Sequence, residues 1–458
     1  MVKHLRQRIH FVGIGGAGMS GLAELLYNYG HTVTGSDRVL SEATNRLKSL
    51  GISVQSGHAP DLVKNAQLLI YSSAIRGDNP ERVYAHEHRI AELRRADALG
   101  QVMRAFSAVC VAGTHGKTTT TSLVGAIMAE ANLRPTVLVG GTLRAEGAPV
   151  IVGESAFMVA EADEFDRSFL ALYPTVAVIT NIEADHLDCY KDLDDIKNAF
   201  VAFAGRVPFY GTVVCCSDDK GVRDIMQRFE RKCVTYGICP GADYTAQNIE
   251  FVNGTASFDA EGRGTKLGRI TLSIPGMHNV ANALGALAAA TELDVPFKAA
   301  RHALARFAGV KRRFEVVGRE RGVTVIDDYA HHPGEIRATL DAARRSGFKH
   351  IVAVFQPHLY TRTRDFMDDF ASSLSAADTV MVTDIYPARE EPIPGVHAAA
   401  IVEKLHALGH ADACYISSKE AIAKKAADRA AQGGAIIIMG AGDINEIAPG
   451  LLEVLRHG

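Results

Sequence analysis

Two apolar runs of this chain lead directly into a glycine-rich loop and then into an amphipathic stretch. The first is IHFVGIGGAGMSG, in which Gly13, Gly15 and Gly18 satisfy the pattern G-x-G-x-x-G, and the second is AVCVAGTHGKT, which ends at Thr118. A strand that turns through glycines into a helix is the opening unit of a parallel sheet covered by helices. The sequence therefore predicts an α/β fold with a glycine loop at the edge of each of two sheets.

The alternation of strand-like and helix-like segments continues to the end of the chain. A chain of 458 residues is longer than one core usually supports, and its length suggests about three domains. We predict three α/β domains in series: a Rossmann-like domain over residues 1–105, a P-loop ATPase-like domain over 106–310 and a second Rossmann-like domain over 311–458. Within the central domain, the glycine-rich stretch FVNGTASFDAEGRGTKLGRITLSI predicts antiparallel hairpins.

The charge balance favours no polyanionic partner. The formal net charge is −3, so there is no overall electrostatic reason to expect nucleic acid or an anionic membrane as a partner. No apolar run in the sequence is long enough to span a bilayer. The seven cysteines include no C-x-x-C pair, and their scattered spacing is typical of thiols in a reducing cytosol. We therefore expect a cytoplasmic protein that acts on small molecules, with no nucleic-acid or membrane partner.

The first glycine loop is typical of a site for a diphosphate. Glycines let the backbone turn tightly and approach the phosphates, whose charge then lies at a helix N-terminus. Asp37 follows about 20 residues later, at the spacing of the acidic residue that binds a ribose in dinucleotide-binding folds. The motif favours a nucleotide without distinguishing NAD from another diphosphate, and a tight turn without a ligand is the alternative.

The segment GTHGKT, residues 113–118, predicts an ATP site. Its two glycines would expose backbone N–H groups, while Lys117 adds an ammonium and Thr118 a hydroxyl that suit a triphosphate with Mg²⁺. The segment departs from the common pattern G-x-x-x-x-G-K-[ST], because Val111 stands where the first glycine is expected. The alternative is a glycine turn with a surface lysine, which leaves the preceding strand and following helix unexplained.

Two clusters of acidic residues also follow strand-like runs, in FMVAEADEFD and TVAVITNIEADHLD. In open α/β sheets the carboxyl ends of the strands face the ligand crevice, where carboxylates can hold Mg²⁺ directly or through water. The candidates are Glu161, Asp163, Glu164, Glu183, Asp185, His186 and Asp188. For most of them, a solvated loop acid or a helix cap is the alternative.

Taken in order, the segments GIGGAGMSG, GTHGKTTTT, EADE, TNIEADHLD, PGMHNVANALGA, GVKRRFE, DDYAHHP, FQPH and GAGDI closely resemble the Mur ligases, over essentially the whole chain. The resemblance implies an ATP-dependent amide ligase of three domains. The first would hold the UDP end of the substrate, the second would bind ATP, and the third would supply the remaining nucleotide and amino-acid contacts. The first glycine loop would then face the diphosphate of UDP rather than that of NAD.

The resemblance also assigns roles to individual residues. Lys117 would contact the ATP phosphates, Thr118 and Glu161 would hold one Mg²⁺, and His186 would bind a second metal near the substrate carboxylate. Because imidazole normally suits softer metals, Mn²⁺ is an alternative ion. The other residues assigned to ATP are Gly113, Thr114, His115, Gly116, Thr119, His278, Asn279, Asn282, Arg313, Asp328, His331 and His332. Those assigned to the substrate are Gly13, Gly15, Gly16, Gly18, Met19, Ser20, Asp37, Ser72, Ser73 and Tyr329, while His358 and Arg362 would address the amino acid.

Three positions depart from the pattern of the family. Ala330 stands where glycine is common, and we expect this change to be tolerated. Leu359 stands where related proteobacterial enzymes often have arginine, so any charge contact from that position is absent. Phe200 occupies the approximate place of a carbamylated lysine in sister ligases, and we do not transfer that feature.

The activity implied is the joining of L-alanine to the lactyl carboxylate of UDP-N-acetylmuramate. ATP would phosphorylate the carboxylate, and attack by the amine would give UDP-N-acetylmuramoyl-L-alanine, ADP and phosphate, a step of peptidoglycan precursor synthesis. The general base is not identified: His358 and substrate phosphate are the candidates. One alternative is a ligase that adds a tripeptide to the same sugar acid. Another is an NAD-dependent dehydrogenase, which leaves GTHGKT unexplained.

Overall fold

The structure is a computed structural model that describes residues 6–142, 144, 147–185, 189–252, 254–388 and 390–457. By its internal contacts the chain divides into two compact units. Unit 1 comprises residues 1–247, 259–270 and 281–307, and unit 2 comprises 248–258, 271–280 and 308–458. The described residues form sheets of five, ten and six strands, and the predicted fold class of three α/β domains in series is confirmed.

The first sheet is parallel and has the strand order β3-β2-β1-β4-β5. Its elements are β1 (Arg8–Val12), α1 (Ala17–Asn28), β2 (Thr32–Asp37), α2 (Glu42–Ser49), β3 (Ser53–Ser56), a 3-10 helix (Pro60–Val63), β4 (Leu68–Tyr71), α3 (Pro80–Glu87), β5 (Ala91–Arg94) and α4 (Arg95–Met103). The strand order reverses between β1 and β4. In doubly wound sheets this switch point opens a crevice at the carboxyl ends of the strands, and the first glycine loop follows β1.

The second sheet has ten strands, in the order β15-β14-β13-β12-β11-β10-β6-β9-β7-β8. Its elements begin with β6 (Ser107–Ala112), α5 (Lys117–Glu130), β7 (Thr136–Leu138), β8 (Val150–Ile151), β9 (Phe157–Glu161), a 3-10 helix (Phe165–Ala171), β10 (Val176–Ile179) and α6 (Leu193–Ala204). They continue with β11 (Thr212–Cys216), α7 (Lys220–Met226), β12 (Lys232–Gly237), β13 (Tyr244–Val252), β14 (Thr255–Gly262), β15 (Thr265–Leu272), α8 (Met277–Thr291) and α9 (Phe297–Arg306).

Strand β6 is central to the placement of the second glycine loop. It pairs in parallel with β10 on one side and β9 on the other, so the carboxyl ends of three strands meet at one edge. At these ends lie the GTHGKT loop, Thr180 with Asn181, and the acidic segment that begins at Glu161, the last residue of β9. Strands β13, β14 and β15 are consecutive neighbours, as the glycine-rich stretch predicts.

The third sheet has the order β16-β17-β21-β18-β19-β20, in which β16 runs antiparallel to β17 and the other pairs are parallel. Its first elements are β16 (Glu315–Glu320), β17 (Val323–Asp328), α10 (Pro333–Arg345), β18 (Ile351–Phe355), α11 (Tyr360–Asp365), α12 (Met367–Leu374) and β19 (Thr379–Val382). The remaining ones are α13 (Ala399–Ala407), β20 (Ala413–Tyr415), α14 (Lys419–Arg429), β21 (Ala435–Met439), a 3-10 helix (Ile444–Ile447) and α15 (Ala448–His457). Strands β18 and β21 are buried along their whole length, because helices cover both faces of the sheet.

Two further observations bear on the sequence-based expectations. No helix in the described ranges combines the length and apolarity that crossing a membrane requires. All seven cysteines are free thiols, and Cys110, Cys215 and Cys216 are buried.

Candidate active site

The GTHGKT loop is held in shape by the residues that follow β10. Asn181 accepts the Thr114 N–H through its backbone oxygen at 3.1 Å and the His115 N–H through its side-chain oxygen at 2.7 Å. Thr180 donates its hydroxyl to the His115 carbonyl at 2.6 Å. Helix α5 then begins at Lys117 without a side-chain cap. A helix start without a side-chain cap is a site for an anion.

The backbone conformation and the close packing of this loop require glycine at both of its glycine positions. Gly113 has a φ of +139°, and a Cβ at this position would lie 1.9 Å from Thr180 Oγ1. Gly116 has a φ of +82°, and a Cβ there would lie 2.6 Å from Asn282 Oδ1. Positive φ values of this kind favour glycine. The loop therefore combines left-handed backbone with close packing, as a phosphate-binding turn does.

The ammonium of Lys117 points back over the loop. Its Nζ donates to the carbonyls of Gly113 at 2.5 Å and Thr114 at 3.1 Å, and to the two carboxylate oxygens of Glu164 at 2.9 and 3.0 Å. Desolvation by the surrounding protein lowers the pKa of Lys117, but the nearby carboxylates, Glu164 foremost, outweigh it, so the pKa is raised overall. The side chain is therefore a cation at neutral pH.

A pair of oxygen ligands stands beside this lysine. The hydroxyl of Thr118 donates to Glu161 Oε1 at 2.6 Å, and Glu161 also accepts the backbone N–H of Gly140. A hydroxyl and a carboxylate are hard oxygen donors of the kind that Mg²⁺ prefers. The residues thus fit a magnesium ion at the first turn of α5.

Three of the other acidic candidates, Asp163, Glu183 and Asp185, lie among the described residues. Asp163 accepts the Phe165 N–H at 3.1 Å, which agrees with a loop cap, and Glu183 lies 3.4 Å from His115 Nε2. Asp185 is buried. The predicted metal ligand His186 and the neighbouring Asp188 lie outside the described residues, so the second metal site stays a prediction.

The segment PGMHNVAN supplies three predicted contacts of the adenine. Asn282 packs against Gly116. Asn279 donates its amide to the Pro275 carbonyl at 2.6 Å, which agrees with the alternative that it satisfies backbone at a helix start. Desolvation lowers the pKa of His278 to about 4, so its ring is uncharged at neutral pH.

The first glycine loop is anchored to β2. The N–H groups of Gly13 and Ile14 both donate to the Ser36 carbonyl, at 2.9 and 3.0 Å, and the Gly15 N–H donates to Asp37 Oδ2 at 2.8 Å. Asp37 therefore fixes the loop directly, a role that its spacing alone did not indicate. Helix α1 begins after Gly16 without a side-chain cap, so this loop also ends in a site suited to an anion.

The remaining predicted substrate residues differ in exposure. Met19 and Ser20 are buried, and the Met19 N–H donates to the Gly16 carbonyl. A Cβ on Gly13 would lie 3.3 Å from the Ser72 Cβ, and Ser73 is exposed.

Arg95 is a candidate that the sequence analysis missed. A Cβ at Gly18 would lie 2.8 Å from Arg95 Nη1, so this guanidinium lies against the first turn of α1. A cation at that point suits a diphosphate. No motif indicates it, because its proximity arises from the fold rather than from spacing.

In unit 2 the predicted residues cluster around Tyr329. Arg312 and Arg313 lie over its ring at 5.1 and 5.2 Å, and His331 packs edge-on at 5.3 Å. His358 lies 5.9 Å from His331, measured between ring centroids. Asp328 accepts the backbone N–H groups of Phe314 and Ala330, and His332 caps α10. The structure thus brings most of these residues into one aromatic and cationic cluster.

Arg362 and Leu359 lie at the start of α11. Arg362 is buried, 7% exposed, so it is not a helix-surface residue. Leu359 has a φ of +70°. This conformation is energetically unfavourable for a residue that has a side chain, and it recurs at functional sites. The backbone at this turn therefore has an unusual conformation of the kind found at functional sites, even though the side chain of Leu359 carries no charge.

Comparisons with known proteins cover nearly all of the chain. Family models match in order: "Mur ligase family, catalytic domain" over residues 8–107, "Mur ligase middle domain" over 111–290 and "Mur ligase, glutamate ligase domain" over 312–442. A UDP-N-acetylmuramate–L-alanine ligase of Sorangium cellulosum is 49% identical, over 97% of this chain and 96% of its own.

Two solved structures extend the comparison to the fold. The crystal structure of UDP-N-acetylmuramate–alanine ligase of Thermotoga maritima has a TM-score of 0.83 at 30% identity and covers 98% of both chains. That of a murein peptide ligase of Psychrobacter arcticus has a TM-score of 0.71 at 26% identity, also over 98% of both. Both similarities cover residues of all three sheets rather than of one domain.

Proposed function

The chain belongs to the Mur ligase family, and we propose that its two glycine loops bind the ATP and the UDP sugar of a reaction that joins L-alanine to UDP-N-acetylmuramate. It is an ATP-dependent amide ligase of peptidoglycan precursor synthesis, and the dehydrogenase alternative is wrong. The observation that carries the ATP site is the grouping of Lys117, Thr118 and Glu161 around the first turn of α5. We place the reaction in the cytoplasm, in keeping with the free thiols.

The chemistry follows from the weakness of a carboxylate as an acyl donor. The lactyl carboxylate attacks the γ-phosphorus of ATP, ADP leaves, and an acyl phosphate forms. The neutral amine of L-alanine then attacks the acyl carbon, and phosphate departs with the bonding electrons. The nitrogen loses one proton to a general base, for which His358 and the phosphate are the candidates. The crowded phosphate oxygens are the main electrostatic obstacle. We propose that Lys117 and the N–H groups at the start of α5 offset that charge.

Thr118 and Glu161 would hold the Mg²⁺ of this site, and the ion would supply further neutralisation of the phosphates. His186 stays our candidate for a second ion, with Mn²⁺ as an alternative. We also propose the domain limits 1–105, 106–310 and 311–458. They are supported by the separate sheets and by the limits of the three family models.

Product analysis tests the proposed substrate pair. Purified protein is incubated with ATP, Mg²⁺ and UDP-N-acetylmuramate, together with either L-alanine or an alanyl tripeptide, and the products are identified by mass spectrometry. We expect UDP-N-acetylmuramoyl-L-alanine from the first mixture. Efficient product only from the tripeptide would instead assign the recycling reaction.

Gly16→Ala should raise the KM for UDP-N-acetylmuramate about tenfold or more. The added methyl group would displace the bound diphosphate, and a displacement of about 1 Å is costly. Gly16 is a clean probe, since its added Cβ would meet the nearest protein atom at 3.6 Å. At Gly15 the added Cβ would lie 2.9 Å from both Asp37 Oδ2 and Thr44 Cγ2, so a change there also disturbs the loop itself.

The test compares the steady-state kinetics of Gly16→Ala with those of Gly21→Ala. Gly21 lies within α1, and a Cβ added there would have no neighbour closer than 3.9 Å. The control should leave the KM unchanged. If Gly16→Ala raises the KM for ATP as much as that for the UDP sugar, the loop is misassigned or the variant is misfolded.

We propose that Arg362 binds the α-carboxylate of L-alanine. Arg362→Lys keeps the charge but loses the two parallel hydrogen bonds of the guanidinium. We expect the KM for L-alanine to rise about tenfold, because a charge-assisted hydrogen bond contributes about 1.5–3 kcal/mol. The constants for ATP and for the UDP sugar should barely change.

Arg364→Lys is the matched control on the same helix. Its side chain is 54% exposed and pairs with Asp365 at 2.7 Å, so the exchange should have no effect on the KM for L-alanine. If the KM for L-alanine is unchanged in Arg362→Lys and raised in Arg364→Lys, binding of the α-carboxylate would be assigned to Arg364 instead.

A further inference from the structure

Glu164, which lies in the segment after β9, holds the ammonium of Lys117. Both of its carboxylate oxygens accept from Lys117 Nζ, at 2.9 and 3.0 Å, and the carbonyls of Gly113 and Thr114 accept from the same ammonium. An ammonium has three protons to donate. All of its hydrogen-bonding capacity is thus used within the protein, and a phosphate oxygen can reach it only in exchange for one of these partners.

Glu164 makes this contact from a buried position that other contacts support, and not from the surface. Glu164 is 3% exposed, and its backbone carbonyl accepts the hydroxyl of Tyr190 at 2.6 Å. The chain then turns through Asp166 and Arg167, each with a φ of +52°, and Arg167 pairs with Asp195 at 2.7 Å. The backbone is therefore fixed at the carbonyl of Glu164 and in the turn that follows it.

A triphosphate without a cation meets two obstacles at this carboxylate. It must take Lys117 from Glu164, and its own negative charge then approaches a carboxylate whose charge the ammonium no longer offsets. A cation held by Thr118 and Glu161 would remove both obstacles, because its charge would neutralise the phosphates and attract the carboxylate that the lysine releases.

We propose that Glu164 is a positioning residue that keeps Lys117 in the empty loop and releases it to ATP that arrives with a divalent cation, so that the site discriminates against metal-free nucleotide. The proposal rests on the assignment of this loop to ATP. Of the three partners of Lys117, Glu164 is the one that carries a negative charge. The discrimination therefore depends on a single side chain that can be changed.

Glu164→Gln tests this role by calorimetric titration with ATP, once with EDTA and once with Mg²⁺. The glutamine keeps the size of the side chain but neither repels phosphate nor holds the ammonium as strongly. We expect metal-free ATP to bind about tenfold more tightly than to the unchanged protein, as for the loss of one charge-assisted contact. With Mg²⁺ the affinity should change by less than about threefold.

Glu154→Gln is the control, because Glu154 is 75% exposed in its pair with Arg134 and should leave both affinities unchanged. A Glu164→Gln variant that binds metal-free ATP no better than the unchanged protein overturns the proposal. If this variant fails to fold, as judged by its melting temperature, Glu164→Asp serves instead. Its shorter side chain keeps the charge but should loosen the grip on Lys117 and give a smaller gain in the same direction.

Lys117→Ala combined with Glu164→Gln separates release of the lysine from general repulsion. In the Lys117→Ala background the gain in metal-free affinity from Glu164→Gln should fall below about threefold. An undiminished gain would assign the effect to bulk charge and overturn the proposal. Two other results would contradict the assignment of the loop to ATP. In one, the unchanged protein does not bind ATP with Mg²⁺; in the other, Lys117→Ala binds it as well as the unchanged protein does.

Discussion

Lys117→Ala should lower the rate of ADP formation by about 10³-fold or more, as expected when a preorganised cation is removed from phosphoryl transfer. The structure adds a second reason, because the variant leaves the carboxylate of Glu164, 3% exposed, without its ammonium partner beside the phosphates. The measurement is the rate of ADP release at saturating substrates, followed by a coupled assay. Binding of UDP-N-acetylmuramate, measured by calorimetry, should be unaffected.

Lys64→Ala is the control, since Lys64 is 53% exposed in its pair with Asp61. It should leave the rate unchanged. A parallel loss of UDP-sugar affinity and ATP affinity in Lys117→Ala would contradict the assignment of the two ligands to two loops, and a rate within about tenfold of the unchanged protein would contradict the role of Lys117 itself.

Gly113→Ala should abolish ATP binding and lower the free energy of unfolding by about 3 kcal/mol. The added Cβ would lie 1.9 Å from Thr180 Oγ1 and 3.0 Å from the Asn181 backbone nitrogen, at a φ of +139° that residues with side chains rarely adopt. Relief of the clash would move the loop away from Asn181 and so change its shape. Urea unfolding and calorimetric titration with ATP and Mg²⁺ provide the two readouts.

Gly77→Ala is the matched control, because no atom lies within 4 Å of the Cβ that it adds. It should retain both stability and ATP affinity. Normal ATP affinity in Gly113→Ala, together with a lowered free energy of unfolding, would contradict the assignment of ATP to this segment.

The parts of the site that could be predicted are those that depend on local chain geometry. A strand followed by a glycine loop and a helix predicts where a phosphate can bind, and acidic residues after β9 predict ligands for a cation. Both predictions rest on the rule that parallel strands present their carboxyl ends at one edge. The pair of Thr118 and Glu161, at 2.6 Å, is the direct outcome of that rule.

Other features could not be predicted, because they depend on which residues the fold brings together. The GTHGKT segment contains nothing that indicates Asn181 as its support, and FMVAEADEFD does not indicate that Glu164, rather than Asp163, contacts Lys117. Spacing suggested that Asp37 would bind a ribose, whereas its carboxylate also fixes the Gly15 N–H at 2.8 Å. In each case the sequence indicates the residue type, and only the pairing of the strands indicates its neighbour.

The support of the GTHGKT loop by Asn181 has a consequence for how the site arises during synthesis. The segment leaves the ribosome well before β10, yet Asn181 accepts its Thr114 and His115 N–H groups, and β10 reaches it by pairing with β6. A nascent chain that ends before Thr180 thus contains the whole motif but lacks the partners that shape it. Contacts between residues distant in sequence form late because a long loop must first be closed. We therefore expect the proposed ATP site to form only after β10 has paired with β6, and not when the motif itself has been made.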